Sequence, residues 1–409
     1  MSDPISFLRT VFDRAVEVAD PMRSLAPFLP PKPEGRVVVI GAGKASARMA
    51  EAVEAEWGPC EGLVITRYGY ARPCQGIEIV EAAHPVPDAA GAEATGRMLS
   101  LLEGLGEGDF VLALISGGAS ALLTAPVAGG SLDEKQALNQ ALLASGAPID
   151  RMNTVRKHLS RVKGGQLASA AYPAEMLSLM ISDVPGDDPA FIGSGPTVGD
   201  DSTSADARAV LETWNITAPQ SIVDALAAKT GVVPNGDPRL SKVTNQIYAA
   251  PSQSLAAASE MAGMPVRMLG DALEGEARDV AQAHAELAKS LRGQGPMLLL
   301  SGGELTVTRR GDGNGGPNAE YCLALALALE GTPGIHAIAC DTDGVDGAAE
   351  VAGAVVRPET LTKAREAGID PAAMLAANDA HSFFEAIGDQ VVTGPTLTNV
   401  NDFRAILIE

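Results

Sequence analysis

Short, largely apolar runs recur along the chain at Arg36–Ile40, Leu63–Thr66, Phe110–Ile115, Met176–Ile181, Met297–Leu300 and Ile335–Ala339. They do not alternate between apolar and polar, which predicts strands buried on both faces of a mainly parallel sheet. Between them, apolar residues fall at helical spacing over Ala45–Trp57, Ala89–Glu103, Asp133–Ser145, Thr203–Trp214, Ser252–Ala262, Gly275–Leu291 and Ala319–Leu329. Strands alternating with helices predict an α/β fold. The segment Ala228–Lys242 is dense in turn residues (Gly231, Pro234, Asn235, Gly236, Asp237, Pro238) and has little to bury. It suggests a boundary near residue 236 and two α/β domains, 1–236 and 237–409. A strand running into Ser-Gly-Gly occurs once in each half, at Leu114–Gly118 and Leu299–Gly303.

Phe110–Leu132 carries no charge over 23 residues, the length of a membrane span. Its apolar core is confined to Phe110–Ile115, and Gly117, Gly118, Pro126, Gly129 and Gly130 follow, so it predicts a buried strand and a glycine-rich loop. The chain of 409 residues has 51 acidic and 30 basic side chains, a net charge of −21. That balance disfavours nucleic acid and anionic membranes, both of which are bound through Lys and Arg on phosphates. Four cysteines with no CxxC spacing make no disulfide framework. The start Met1-Ser2-Asp3-Pro4 lacks an apolar signal segment. The expectation is a cytoplasmic protein, with a homo-oligomer possible.

Ligands of open α/β sheets bind outside the carboxyl ends of the strands. Those ends carry Gly41-Ala42-Gly43-Lys44, Ser116-Gly117-Gly118-Ala119-Ser120, Ser182-Asp183, Ser301-Gly302-Gly303-Glu304 and Asp341-Thr342-Asp343-Gly344. Three of these loops offer glycines and hydroxyls, which suit phosphate oxygens. Two offer carboxylates, which suit a hard divalent cation. Phosphoryl transfer from a magnesium nucleotide needs that division. Gly41-x-Gly43 also resembles the opening of a dinucleotide fold, but Ser46 replaces the third glycine, and the second strand ends in Arg67 without an acid for a ribose. Lys44 at a helix start suits the macrodipole only beside an anion.

Arg151, Arg156, Lys157, Arg161 and Lys163 cluster opposite an apolar stripe of Met152, Val155, Leu159 and Val162. In so acidic a chain, such a concentration is what an anionic substrate would require. The Asp341 loop places carboxylates at positions 1, 3 and 6 and Ala352 at position 12, which rejects an EF-hand. His84 sits between Ala83 and Pro85 in a rigid loop, and no histidine pair has zinc-ligand spacing.

Taken in order, these loops resemble the two-domain glycerate 2-kinases, a family also named hydroxypyruvate reductases, whose C-terminal part is called MOFRL. The resemblance rests on Val39–Ala45, His84–Asp88, Ser116–Leu122, Asn153–Ser160, Val162–Gly165, Ser182–Asp187, Gly193–Thr197, Ser301–Glu304, Asp341–Gly344 and Asn399–Asp402. It spans nearly the whole chain. It implies an N-terminal Rossmann-like domain, a C-terminal domain with a mixed sheet, and a site in the cleft between them. The implied reaction is ATP- and magnesium-dependent phosphorylation of D-glycerate at its 2-hydroxyl, with no zinc and no flavin. Lys44, Asp183 and Asp343 are the catalytic candidates, and Asp183, Asp341 and Asp343 the metal candidates. Gly41, Gly43, Ser116, Gly117, Gly118, Ser120, Ser301, Gly302 and Gly303 would face nucleotide phosphates. His84, Arg156, Lys157 and Asn399 would face the substrate.

Two departures from the family pattern stand out. Gly315-Gly316-Pro317-Asn318-Ala319-Glu320 lacks the arginine and glutamine that members commonly carry, and Leu397 stands where glycine is usual. The alternative reading is an NAD(P)H-dependent hydroxypyruvate reductase. It would need a complete dinucleotide loop and a hydride-site acid such as His84. A non-catalytic binding protein would leave the two carboxylate clusters unexplained.

Overall fold

The computed structural model describes residues 3–409. They form two compact units. One comprises Ser24–Ser182 and Asp187–Tyr248; the other combines the N-terminal segment through Arg23 with Asp183–Gly186 and Ala249–Glu409. A single cut at residue 236 does not separate them. The strand that follows that turn adds to the first sheet, and the N-terminal helix Pro4–Ala19 packs with the second.

The first unit is built on six strands: β1 (Val37–Ala42), β2 (Glu61–Arg67), β3 (Ile77–Ala82), β4 (Phe110–Ile115), β5 (Glu175–Ile181) and β6 (Val243–Ala249), in the order β3-β2-β1-β4-β5-β6. The pairs β1–β2, β2–β3, β1–β4 and β4–β5 are all parallel. Central strands β1 and β4 are buried at every position, which is why their sequences are apolar throughout. Strand order reverses between β1 and β4, and there an open parallel sheet leaves its crevice. The register pairs Ala42 with Ile115, so the two strands end level. Gly43–Lys44 and Ser116–Gly118 therefore emerge side by side.

The second unit carries β7 (Val266–Gly270), β8 (Gly275–Glu276), β9 (Met297–Gly303), β10 (Leu305–Thr306), β11 (Ile335–Asp341), β12 (Gly353–Val356), β13 (Gln390–Val391) and β14 (Asp402–Ile408). Six of them form a sheet in the order β13-β12-β11-β14-β9-β7, and β10 pairs with β8. Only β7–β9 is parallel in the large sheet. Its strands are nevertheless apolar on both sides, because each face is covered. Leu299, Ala337 and Ile406 pack under helices Ala277–Leu291 and Pro317–Leu329. Leu298, Leu300, Ile338 and Phe403 pack under Pro4–Ala19 and Pro251–Met261. The apolar runs thus reported burial correctly, while strand direction differs between the units.

Phe110–Leu132 becomes β4, a turn and the short helix Ala119–Leu122. Among the described residues, no helix is long and apolar enough to cross a membrane.

Candidate functional site

At the β1–β4 crevice, side chains of one loop satisfy the backbone of the other. The Ser116 hydroxyl accepts the Ala45 N–H at 3.0 Å and lies 3.1 Å from Ser46 Oγ, at the start of helix Ser46–Trp57. The Lys44 N–H donates to the Gly117 carbonyl at 2.8 Å, and Thr66 Oγ1 donates to the Gly43 carbonyl at 3.1 Å. The glycines are demanded by this packing. A Cβ on Gly41 would meet the Leu114 carbonyl oxygen at 2.4 Å, and one on Gly43 would meet Ser116 Oγ at 2.0 Å. In a dinucleotide fingerprint the second glycine lets the backbone approach the pyrophosphate; here it admits Ser116.

Gly118 has φ +82°, and a Cβ there would stand 3.1 Å from the His84 ring and 3.3 Å from Lys44 Cγ. Lys44, His84 and Gly118, predicted from three separate loops, are thus immediate neighbours, with Lys44 and His84 both half-buried. Ser120 follows on helix Ala119–Leu122 and shares a 2.8 Å hydrogen bond with Ser194.

Beside them is a cavity of about 280 Å³, lined by His84, Gly118 and Ser120 and by helices Leu132–Ala144 and Ile149–His158. The first of these helices is set by a capping box between Ser131 and Glu134. Arg156 lines the cavity and ties the two helices together, donating from Nε to Asn139 Oδ1 at 2.8 Å. Lys157 does not line it. Consecutive helical residues point about 100° apart, and the Lys157 ammonium is instead buried against Asp200 at 2.6 Å and over the Phe191 ring. The basic run is therefore no single exposed face. The helix ends at His158, and Lys163 beyond it is wholly buried, donating to the Ser120 and Leu123 carbonyls at 2.8 and 3.2 Å.

Of the cavity's cations, Lys135 was not singled out from the sequence, and Lys163 only as one of the basic cluster. Burial pushes the Lys135 ammonium down to about 8, with the neighbouring Arg156 charge adding to the effect. Burial likewise lowers Lys163, helped by Lys135 and Arg156, and burial alone lowers Arg156.

The carboxylate candidates belong to the second unit. Asp183 is half-buried; its Oδ2 accepts from Asn399 Nδ2 at 3.2 Å, and its carbonyl accepts from Asn401 Nδ2 at 2.9 Å. Asp341 is partly exposed and its Oδ1 accepts the Asp343 N–H at 2.9 Å. Asp343 is completely buried and its Oδ1 accepts the Val345 N–H at 2.8 Å. Among the described residues, no three His, Cys, Asp or Glu side chains gather as a metal-holding group.

The third glycine loop is not a loop. Strand β9 continues through Gly303, pairing Ser301, Gly302 and Gly303 with Arg404, Phe403 and Asp402 of β14. All three are buried, and the Gly302 and Gly303 carbonyls accept from Arg404. The Gly315–Glu320 segment is closed from within as well. Gly316 caps helix Pro317–Leu329, and its first free N–H groups, of Asn318 and Ala319, donate to Asp346 at 2.9 and 2.8 Å.

A family model described as a domain of unknown function, DUF4147, matches residues 7–227, and the MOFRL family model matches residues 297–402. A protein of Agrobacterium vitis with the provisional name hydroxypyruvate reductase is 52% identical, over 98% of this chain and 94% of its own. The D-glycerate 2-kinase of Thermotoga maritima is 38% identical over 100% of both chains. Among solved structures, a glycerate kinase of Thermotoga maritima matches with a TM-score of 0.87 at 36% identity, covering 99% of each chain.

Proposed function

The chain belongs to the family that joins a DUF4147 domain to a MOFRL segment and includes the glycerate kinases, and from that premise we propose that it is an ATP-dependent D-glycerate 2-kinase. The observation that carries this reading is the meeting of Lys44, His84 and Gly118 beside a cavity lined by Lys135, Arg156 and Lys163. A chain of net charge −21 concentrates cations there, and both glycerate and nucleotide phosphates are anions.

In this reading Arg156 holds the glycerate carboxylate, and the wholly buried Lys163 fixes the Ser120 turn by its two carbonyl contacts. Lys44 donates to the transferred phosphoryl group, where negative charge is spread over the oxygens in the transition state. Its backbone is pinned by Gly117, so the side chain starts from a fixed point. His84 orients the substrate against Gly118. Lys157, committed to Asp200, is left a structural role.

Magnesium fits the donor chemistry of the second unit. Asp183 and Asp341 are partly exposed oxygen donors, and magnesium is usually held by one or two carboxylates together with substrate phosphates and water. Bound there, it would neutralise charge on the nucleotide phosphates. Asp183 is oriented by Asn399 and Asn401, whereas buried Asp343 serves to shape the Asp341 loop. The product is 2-phosphoglycerate.

The name carried by the Agrobacterium vitis relative favours a second reading, an NAD(P)H-dependent hydroxypyruvate reductase. Against it, Gly41 and Gly43 face Leu114 and Ser116, so the glycine pair is explained without a pyrophosphate. One pair of assays separates the two. Purified protein should form phosphoglycerate from D-glycerate, ATP and magnesium, and should leave NADH and NADPH unoxidised with hydroxypyruvate. The opposite result would overturn the kinase.

A further inference from the structure

The cavity of the first unit contains an imbalance that its own residues do not resolve. Lys135, Arg156 and Lys163 line it, and no Asp or Glu is among its lining residues. Lys163 has two carbonyl acceptors, and Arg156 has Asn139 and Asn153. Lys135 is different. Its stem is partly exposed, but its Nζ is buried and has no hydrogen-bond partner. An ammonium taken from water without a partner is costly. The capping box and the Arg156–Asn139 bond hold its helix in place, so the amine cannot simply swing away with the backbone.

We propose that Lys135 is the missing half of a carboxylate site: a small organic acid enters this cavity with its carboxylate bridging Lys135 and Arg156 and its carbon chain against Leu138, Leu142 and Leu159. The site rests on the kinase reading only for the name of the acid, D-glycerate. Its geometry asks for a short carboxylate whose C–H groups can lie against the leucines.

The charges around the amine agree with this. From other elements, Arg156, Lys163 and His84 face the cavity, and none brings a negative charge. On its own helix, Glu134 is occupied by Ser131 and Ser221. An amine lowered to about 8 is partly neutral in mildly alkaline solution, and a carboxylate placed against it restores the charged form. Binding near pH 8.5 therefore takes up a fraction of a proton. The same linkage makes Lys135 a burden on the folded protein. Its lowered value means the unfolded chain binds more protons between about pH 8 and 10.5, so its destabilising effect is greatest below 8 and fades as pH rises.

The test is calorimetry of the full chain with D-glycerate, and separately with hydroxypyruvate, without nucleotide, at pH 8.5 in two buffers of different ionisation enthalpy. Wild type should bind and take up a fraction of a proton. Lys135→Met should bind at least about tenfold more weakly, lose the proton uptake, and melt no lower than wild type, because a buried unpaired charge has been removed. Lys135→Arg should regain much of the affinity without the proton uptake, since arginine stays charged. Unchanged affinity and proton uptake in Lys135→Met, or no binding of either acid to wild type, would overturn the site. Lys135-dependent binding of hydroxypyruvate alone would support the site and count against the kinase. Phosphorylation of glycerate by Lys135→Met with an unchanged KM would count against the site and leave the kinase standing.

Discussion

Ser116 occupies the space that a side chain on Gly43 would need: a Cβ there would lie 2.0 Å from Ser116 Oγ and 2.6 Å from its carbonyl oxygen. Gly43 also has φ +143°, a conformation L side chains rarely adopt. Gly43→Ala should therefore destabilise the first unit by more than about 2 kcal/mol. Ser116→Ala alone leaves the buried Ala45 N–H without its acceptor, at a cost of about 1–3 kcal/mol. The double variant Gly43→Ala/Ser116→Ala should lose less than the sum of the two single changes, since removing Oγ relieves part of the clash. Denaturant unfolding of the four proteins measures this, and strict additivity would mean that the two residues are not coupled.

That pair also shows where sequence reasoning reached and where it stopped. All six apolar runs became strands, and the reversal of order at β1–β4 brought Lys44 and Gly118 together as strand-end reasoning requires. A Gly-x-Gly, however, reads the same whether a cofactor or a neighbouring strand fills its space. Lys135 was illegible for a similar reason. In the pattern Leu132-Asp133-Glu134-Lys135-Gln136 it looks like one solvated residue among others, and only the packing of two helices under the His84 loop buries its amine. Strand β14 escaped notice because Arg404 interrupts its apolar residues, although that arginine is buried. The partnership of helix Pro4–Ala19 with the second sheet is a contact between chain ends, which no local pattern reports.

Arg404 is the largest side chain in the fully buried set, and it holds Asp402 at 3.0 Å together with the carbonyls of Gly302 and Gly303. Arg404→Met should cost about 3–5 kcal/mol by leaving Asp402 buried without its counter-charge, although Asn318 still donates to it. Burial already raises the Asp402 carboxyl to about 6, with Arg404 opposing the rise. Removing the guanidinium lifts it further. A carboxyl raised in the folded state binds its proton more readily there than in the unfolded chain, so stability falls as pH climbs from about 4 through the folded value. The deficit of Arg404→Met should consequently be smaller at pH 5 than at pH 8. An equal deficit at both would mean that lost packing, not charge, sets the cost.

Leu397 stands where the family resemblance leads one to expect glycine, and its backbone shows why glycine would suit the position. Its φ is +64°, in the left-handed region that costs a residue with a Cβ roughly 1–2 kcal/mol. Glycine carries its own entropic penalty of about 0.5–1 kcal/mol. Leu397→Gly should therefore raise stability by up to about 1 kcal/mol, read as an increase in the thermal midpoint. A fall would mean that the half-buried leucine side chain makes contacts worth more than the strain it imposes.

The metal separates a kinase from a reductase or a simple binding protein. Asp183 and Asp341 are partly exposed, and no three-ligand cage exists among the described residues to hold a cation by itself. Magnesium should bind the protein weakly alone and much more tightly once a non-hydrolysable nucleotide supplies phosphate oxygens. Calorimetry with and without that nucleotide measures the difference. Asp183→Asn should abolish phosphoryl transfer while leaving folding intact, because an amide keeps the shape but loses the charge. Lys44→Ala should lower turnover at least about a hundredfold, the usual effect of removing a positioned donor from the transition state. Its thermal midpoint should shift little, since the Lys44 N–H bond to the Gly117 carbonyl is a backbone bond that the substitution keeps. Excess EDTA should stop the reaction altogether. Full activity in EDTA would end the kinase reading, whereas loss of activity in EDTA with a normal rate for Lys44→Ala would keep the metal and move the phosphate contact to another residue.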